Sequence, residues 1–214
     1  MGVATLQDLA TRAAEITADA QEIPARLPDL DDLLQETPSE LARTLTHRPM
    51  KYRAIVDGSE ASDLQKYAGQ PLYFVVEKDV TEEGNVLAFS RLSAFKDSIR
   101  QTLAKADADS SVMTFPYNHL TPQFIFYDDA NWSGNVKSLS PSTWYPDLTK
   151  VIRNVFWHNW NDVISSVDQS RSYRVAWEHI NAQGSAIAFQ PGFGIGNLAD
   201  WGWNDRISSL ANYG

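Results

Sequence analysis

The chain has 214 residues, 43% of them hydrophobic, with 27 acidic and 18 basic side chains for a formal net charge of −9. This length and apolar content predict one large or two small folded domains, and the acidic balance argues against a nucleic-acid-binding surface, which needs a basic stripe. The absence of cysteine excludes disulfides, thiolate zinc sites and cysteine nucleophiles. Because no run of 18 apolar residues occurs, we expect no membrane span.

The first 48 residues are predicted to form a helical segment, residues 1–48. Residues 4–22 carry apolar side chains at three- and four-residue steps, which indicates an amphipathic helix. A second short helix is predicted over residues 30–35. Thr37 is followed by proline, serine and glutamate, a pattern typical of a helix start, and we expect this third helix to run to about Thr46. Such a segment favours packing, or association with a protein partner or a second copy.

Residues 49–110 are predicted to form a small α+β unit, alone or as one domain with the helical segment. Residues 51–56, 72–76 and 86–89 are rich in β-branched and aromatic side chains, as strands are. A Gly-Asn pair in the acidic turn between the last two strands indicates a hairpin.

Two helices are predicted within the same unit. The first is short, covers residues 59–69 and is capped by its first serine. The second starts at Ser90 or Ser93, has apolar side chains along one face and reaches about Ala106. Residues 107–111 are typical of a polar linker.

Residues 120–214 are predicted to be β throughout. Short aromatic runs alternate with Gly, Pro, Asn and Asp turns, as in a sandwich, and all seven tryptophans lie here, between Trp132 and Trp203. Two stretches of similar layout begin at Phe124 and Tyr173. Each contains a strand, a polar hairpin, a glycine, a turn-rich loop and a six-residue loop, which indicates an internal repeat of about 40 residues.

The six-residue loop is the most informative part of the repeat. Asn-Asp-Val-Ile-Ser-Ser at residues 161–166, the first loop, returns as Asn-Asp-Arg-Ile-Ser-Ser at residues 204–209, the second loop. Each follows a tryptophan. The repeated side chains supply amide, carboxylate and hydroxyl oxygens, which hard cations such as Ca²⁺ prefer. The alternative is a pair of turns whose polar side chains only satisfy backbone groups.

A hairpin precedes each loop and extends the pattern. The first, residues 127–134, has an aromatic, four residues, a second aromatic, one residue and a glycine. The second, residues 177–184, has Ala182 in place of the inner aromatic, so we expect looser packing there. The hairpins and loops together resemble the Greek-key and calcium motifs of the βγ-crystallin family, in its microbial calcium-binding type, over residues 122–214.

The resemblance implies a bacterial-type domain of two Greek keys with two Ca²⁺ sites at one end, each loop contributing to both ions. It implies side-chain donors from the first, second and fifth residues of each loop. It implies main-chain donors from each loop's third residue and from the residue after each hairpin's first aromatic. The full set is Asp128, Asn161, Asp162, Val163, Ser165, Glu178, Asn204, Asp205, Arg206 and Ser208.

The whole chain is therefore predicted to be an α+β N-terminal region followed by an all-β Greek-key sandwich. We predict a calcium-binding protein that is not an enzyme, since no nucleophile–base pair or carboxylate pair stands out. The alternative is a secreted recognition or inhibitor module for a protease, glycan or protein partner. No basic start followed by an apolar run is visible as a signal peptide, and the compartment stays unknown.

Overall fold

The computed structural model describes residues 24–77, 81–110, 120–154, 156 and 158–213, with residues 106–110 described by their backbone. The described strands are β1 Ala25–Arg26, β2 Arg53–Val56, β3 Ser59–Ala61, β4 Tyr73–Val76, β5 Asn85–Phe89, β6 Phe124–Asp129, β7 Ser133–Leu139, β8 Thr143–Tyr145, β9 Ser166–Val167, β10 Tyr173–His179, β11 Gln183–Phe189 and β12 Ser209–Tyr213. The described helices are α1 Leu30–Leu33, α2 Ser39–Ala42 and α3 Leu92–Ser110, with 3₁₀ helices at Leu64–Tyr67, Leu148–Lys150 and Leu198–Trp201.

The N-terminal helices are shorter than the sequence predicted. The helix expected over residues 30–35 is confirmed as α1, and the one expected over residues 4–22 lies outside the described residues. The helix α2 ends well before Thr46, and its N-cap is a proline without a side-chain bond, so the predicted Thr37 cap is wrong. The Thr37 hydroxyl instead accepts a hydrogen bond from the backbone N–H of Gly184, at 3.1 Å.

The helix predicted over residues 59–69 is wrong in its first half. Asp57 and Gly58 have positive φ angles of 49° and 81°, the conformation of a two-residue hairpin turn. This turn folds β3 back onto β2 as an antiparallel pair. Helical backbone is limited to the 3₁₀ helix Leu64–Tyr67, whose N-cap Asp63 accepts a backbone N–H at 2.8 Å.

The long helix of the α+β unit is confirmed as α3, but it continues to Ser110. Residues 107–110 are therefore helix, and the predicted linker is wrong there. The alternating alanines of this stretch have the highest helix propensity, which favours continuation. Among the described residues, no helix has both the length and the apolar character that crossing a membrane requires.

One large sheet joins the N-terminal and C-terminal regions. Its nine strands run in the order β1-β8-β12-β10-β11-β4-β5-β2-β3. The β4–β5 pair is antiparallel, which confirms the predicted hairpin. On its other side β4 pairs in parallel with β11 over four residue pairs. The division into residues 1–48, 49–110 and 120–214 remains a prediction, and all three segments contribute strands to this sheet, because β1 lies in the first of them.

The C-terminal repeats exchange their third strands. The small sheet has the order β7-β6-β9 and comes from the first repeat. However, β8 of that repeat pairs with β12 of the second, with Tyr145 opposite Leu210. In return, Ile195 of the second repeat forms a bridge to Val167 of β9. This exchange makes two Greek keys packed as a sandwich, so the predicted fold class, α+β followed by an all-β Greek-key sandwich, is confirmed.

The large sheet is buried on both faces. In β10, Ala176 packs in the core between the two sheets, whereas Val175 and Trp177 pack with α3 on the opposite face. This alternation follows from strand geometry, in which successive side chains point to opposite faces. The N-terminal unit therefore covers a sheet face that belongs to the second repeat.

Buried tryptophans anchor both loops. Trp160 and Trp203, each immediately before a loop, are 1% exposed. The Trp160 ring meets Phe126 edge to face, with the ring centroids 4.9 Å apart. Aromatic pairs of this kind contribute about 0.5–1.5 kcal/mol beyond the apolar area they bury. The polar loops consequently start from fixed points in the core.

Candidate metal centre

The sixth residue of each loop holds the hairpin of its own repeat. The hydroxyl of Ser166 accepts the backbone N–H of Trp132, and that of Ser209 accepts the N–H of Ala182, both at 3.1 Å. The same hydroxyls donate to the hairpin carbonyls of Asp129 and His179, both at 2.7 Å. These two serines satisfy backbone groups of the turns. At the last position of each loop, the side chain therefore has the structural role described above as the alternative to calcium binding.

The two loops pair with each other reciprocally. The backbone N–H of Asp162 donates to the carbonyl of Ile207 at 3.0 Å, and the N–H of Asp205 donates to the carbonyl of Ile164 at 3.3 Å. Both aspartates have positive φ angles, 52° and 53°, which turn their side chains away from the regular strand direction. The second residue of each loop is thereby held against the end of the other loop.

The fifth residue of each loop lies beside the hairpin of its own repeat. The N–H of Ser165 donates to the carbonyl of Tyr127, and the N–H of Ser208 donates to the carbonyl of Trp177, both at 2.9 Å. Tyr127 and Trp177 are the aromatic residues that open the hairpins. The predicted hydroxyl donors therefore come next in space to Asp128 and Glu178, the residues that follow these aromatics.

The side-chain oxygens of the two loops meet. The Ser208 hydroxyl donates to Asp162 Oδ1 at 3.2 Å. In each loop the asparagine amide donates to the neighbouring aspartate, from Asn161 to Asp162 and from Asn204 to Asp205, both at 2.7 Å. The first and second positions thus form the same side-chain pair in both loops.

Two electrostatic observations mark the first loop. Burial raises the pKa of the Asp162 carboxyl, and the hydrogen bond from Ser208 opposes that rise. Asn161 Oδ1 is buried and has no hydrogen-bond partner among the described residues. An oxygen without a donor beside a carboxylate that is only partly buried is an arrangement that a bound cation would relieve.

The carboxylates of the two hairpins are already paired with arginines. Asp128 accepts from the backbone N–H and side-chain amide of Asn135 at 2.6 and 2.7 Å, and from Arg153 at 2.9 Å. Glu178 Oε1 forms an ion pair with Arg206. Glu178 Oε2 is buried without a partner among the described residues. A cation would therefore meet Asp128 mainly through its carbonyl, the role that the resemblance implied, whereas Glu178 also offers a carboxylate oxygen without a partner among the described residues.

The structure gathers part of the predicted set around one pocket and leaves the rest nearby. Asp162, Glu178, Asp205 and Arg206 line a pocket of about 220 Å³. Within the described residues, no group of three or more acidic or histidine side chains forms a metal cluster. The oxygen donors fit Ca²⁺, which accepts hydroxyl, amide and carbonyl ligands, and they do not fit a zinc site, which needs nitrogen or sulfur ligands.

The donor roles assigned to Val163 and Asn204 remain predictions. Val163 packs its side chain against the core, so only its carbonyl is suited to a cation. The Asn204 carbonyl accepts the Arg48 guanidinium at 2.7 Å.

Sequence reasoning missed four residues of this region. Arg153 lies in the longer stretch between hairpin and loop in the first repeat, where Gly134 to Trp160 spans seven more residues than the equivalent stretch of the second repeat. That difference in length was a visible signal. Thr46 and Arg48 line the pocket from the N-terminal region, and nothing in their local sequence indicated it. His179, the last residue of β10, also lines the pocket.

No family model matches the chain, and no curated protein matches its sequence. Solved βγ-crystallin structures are similar to part of it. A βγ-crystallin from Ciona intestinalis is 23% identical, with 42% of this chain and 98% of that one covered at a TM-score of 0.34. A domain from Clostridium beijerinckii is 24% identical over 42% of this chain and 97% of its own, at a TM-score of 0.34. One from an archaeon is 23% identical over 42% and 95%, at 0.33. This chain thus contains a region similar in fold to βγ-crystallin domains.

Proposed function

We propose that the chain is a calcium-binding protein whose C-terminal sandwich holds two Ca²⁺ ions between the first and second loops. The reciprocal backbone pairing of Asp162 with Ile207 and of Asp205 with Ile164 carries this proposal. It gives each loop one donor position facing the end of the other loop. An ion bound there contacts both repeats at once.

The chemistry of the donors supports calcium over other ions. Ca²⁺ takes six to eight oxygen ligands and tolerates mixed carbonyl, hydroxyl and carboxylate donors. The Ser208 hydroxyl and Asp162 Oδ1 lie 3.2 Å apart, and both are oxygens that one ion can share. Few carboxylates belong to each site, so we expect dissociation constants of roughly micromolar to sub-millimolar size.

Calcium is proposed to stabilise the sandwich rather than to take part in a reaction. Each loop holds an aspartate at positive φ, a conformation that strains residues other than glycine. An ion that binds only the folded chain offsets such strain. At a hundredfold excess over the dissociation constant, it raises the free energy of unfolding by about 2.7 kcal/mol.

Isothermal titration of the full chain with CaCl₂ tests this proposal, with MgCl₂ as the matched control. We expect two binding events for Ca²⁺ and a melting temperature that falls when a chelator is added. D129N is a suitable control variant, because Asp129 is exposed in the first hairpin and is not one of the proposed donors. Absence of calcium heat together with an unchanged melting temperature in chelator would reject the proposal.

A further inference from the structure

The second loop contains a buried, positively charged side chain. Arg206 stands third in the second loop, where the first loop has Val163, and is 8% exposed. Its guanidinium forms an ion pair with Glu178 and donates to the carbonyl of Gly202 at 3.1 Å. It lies 5.3 Å from the centroid of the Trp203 ring. The positive charge is therefore held firmly beside the oxygens proposed to bind calcium.

The N-terminal region docks on the same loop. We call residues 46–51 the arm. The Arg206 guanidinium donates to the arm carbonyl of Thr46 at 2.9 Å, and the arm's Arg48 donates to the Asn204 carbonyl at 2.7 Å. A backbone bond of 2.7 Å joins the N–H of Lys51 to the carbonyl of Asp200. Arg206 is thus shared between the candidate site and the arm.

The approach of the arm is close. A Cβ atom at Gly202 would lie 3.1 Å from the carbonyl oxygen of Arg48 and 3.2 Å from that of Pro49. Gly202 has a positive φ of 70°, so glycine suits both the turn and the contact. The first loop differs, because the arginine that pairs with its hairpin acid is Arg153, from within the same repeat.

We propose that Arg206 is an affinity-determining residue that makes the two calcium sites unequal and links the weaker site to docking of the arm. This inference rests on the proposed function. A fixed guanidinium neutralises Glu178 and repels a divalent ion beside it. We expect the net effect to be about tenfold in affinity, which lies in the usual range of coupling between two sites. Coupling between two binding events is reciprocal, so calcium at this site weakens the contact between Arg206 and the arm.

The test is a double-mutant cycle of Arg206 and Glu178, measured by calcium titration calorimetry on the full chain. We expect two dissociation constants about tenfold apart for the unmodified chain. R206V, which installs the residue of the first loop, tightens the weaker site about tenfold, and E178Q weakens it. The double variant R206V/E178Q returns near the starting affinity because the local net charge is restored. R171V, which removes an exposed arginine elsewhere, leaves both constants unchanged.

Hydrogen exchange of the Lys51 amide reports on the arm. Calcium that only stabilises the fold slows this exchange, whereas calcium that loosens the arm speeds it. We expect faster exchange at Lys51 with saturating calcium, together with slower exchange in β10 of the same sample. Slower exchange at both places overturns the link to the arm.

The outcomes separate this inference from the proposed function. Two equal calcium sites that R206V leaves unchanged overturn the role of Arg206 and keep calcium binding. Binding by R206V, but not by the unmodified chain, rejects both, because a chain without calcium sites has no weaker site for Arg206 to determine. No binding by any variant rejects both. If R206V fails to fold, the double variant R206V/E178Q takes its place, because it leaves no buried charge unpaired. A calcium affinity of the double variant about tenfold below that of the unmodified chain overturns the charge argument.

Discussion

The two C-terminal repeats share one backbone plan but differ in their surroundings. The first repeat exposes Trp132 of its hairpin by 48% and Val136 of β7 by 58%, whereas Ala182 of the second hairpin is 4% exposed. Ala182 belongs to the apolar cluster that contains Leu33 and Leu34 of the N-terminal region. The amide bonds of Trp132 and Ala182 to their serines are both 3.1 Å long.

This comparison shows what the missing aromatic does. The hairpin turn is held by backbone and serine, so its shape does not depend on the inner aromatic. A small side chain at residue 182 leaves space for the N-terminal region to cover the second repeat. The first repeat has no such cover among the described residues and keeps its tryptophan on the surface.

The largest expected effect tests whether both loops depend on the same kind of anchor. W160A and W203A each remove a buried indole in front of one loop. We expect each change to lower the free energy of unfolding by about 3–5 kcal/mol, through lost burial and a cavity. Urea unfolding in chelator measures this. A loss confined to one variant would show that the anchors are not equivalent.

The next effect exchanges the residues that distinguish the hairpins. A182W forces an indole into the buried cluster shared with Leu34, and we expect it to destabilise the chain by about 1–3 kcal/mol or more. W132A removes a half-exposed ring and its hydrogen bond to the Val167 carbonyl, which contributes about 1 kcal/mol. Thermal melting of both variants compares them. Equal losses would contradict the explanation given for Ala182.

A third prediction concerns the shared clamps. D162A and S208A each remove one side of the 3.2 Å contact between the loops. Since each loop is proposed to serve both ions, we expect either change to weaken binding at both calcium sites. The dissociation constant should rise by about tenfold or more for the site that loses its ligand. Calorimetry checks this, with D129N as the control. Clean loss of one site with the other untouched would argue for independent sites.

The smallest effect lies in the N-terminal region, next to the arm. Burial lowers the pKa of His47, and its hydrogen bonds to the carbonyls of Gln70 and Tyr67 oppose this only in part. The unfolded chain therefore takes up a proton at His47 more readily than the folded chain. Stability should be constant above about pH 6.5 and fall as the pH drops below it. This dependence of stability on pH should be absent in H47Q and retained in H158Q. Urea unfolding midpoints measured between pH 5 and 8 check both expectations.

Much of the C-terminal fold was predictable because its signals are local. Gly134 and Gly184 lie at positive φ, and both hairpins were found from their spacing. The hydroxyl and carboxylate types of the loops were also visible, and the loops are indeed held together by paired backbone bonds. The errors fell where local preference was overridden. Thr37 has a good cap sequence, yet its hydroxyl is used by Gly184.

The sequence by itself determined the periodic and duplicated features: two hairpins, two oxygen-rich loops, several of the strands and the long helix. Each depends on neighbouring residues, which set turn geometry and the direction of side chains. Only the tertiary structure decided that β4 extends the sandwich sheet beside β11 and that Arg206 joins Glu178 to Thr46. These contacts link residues more than a hundred positions apart or depend on which charges share a pocket. Long-range packing leaves no spacing in the chain, so no local pattern could have predicted them.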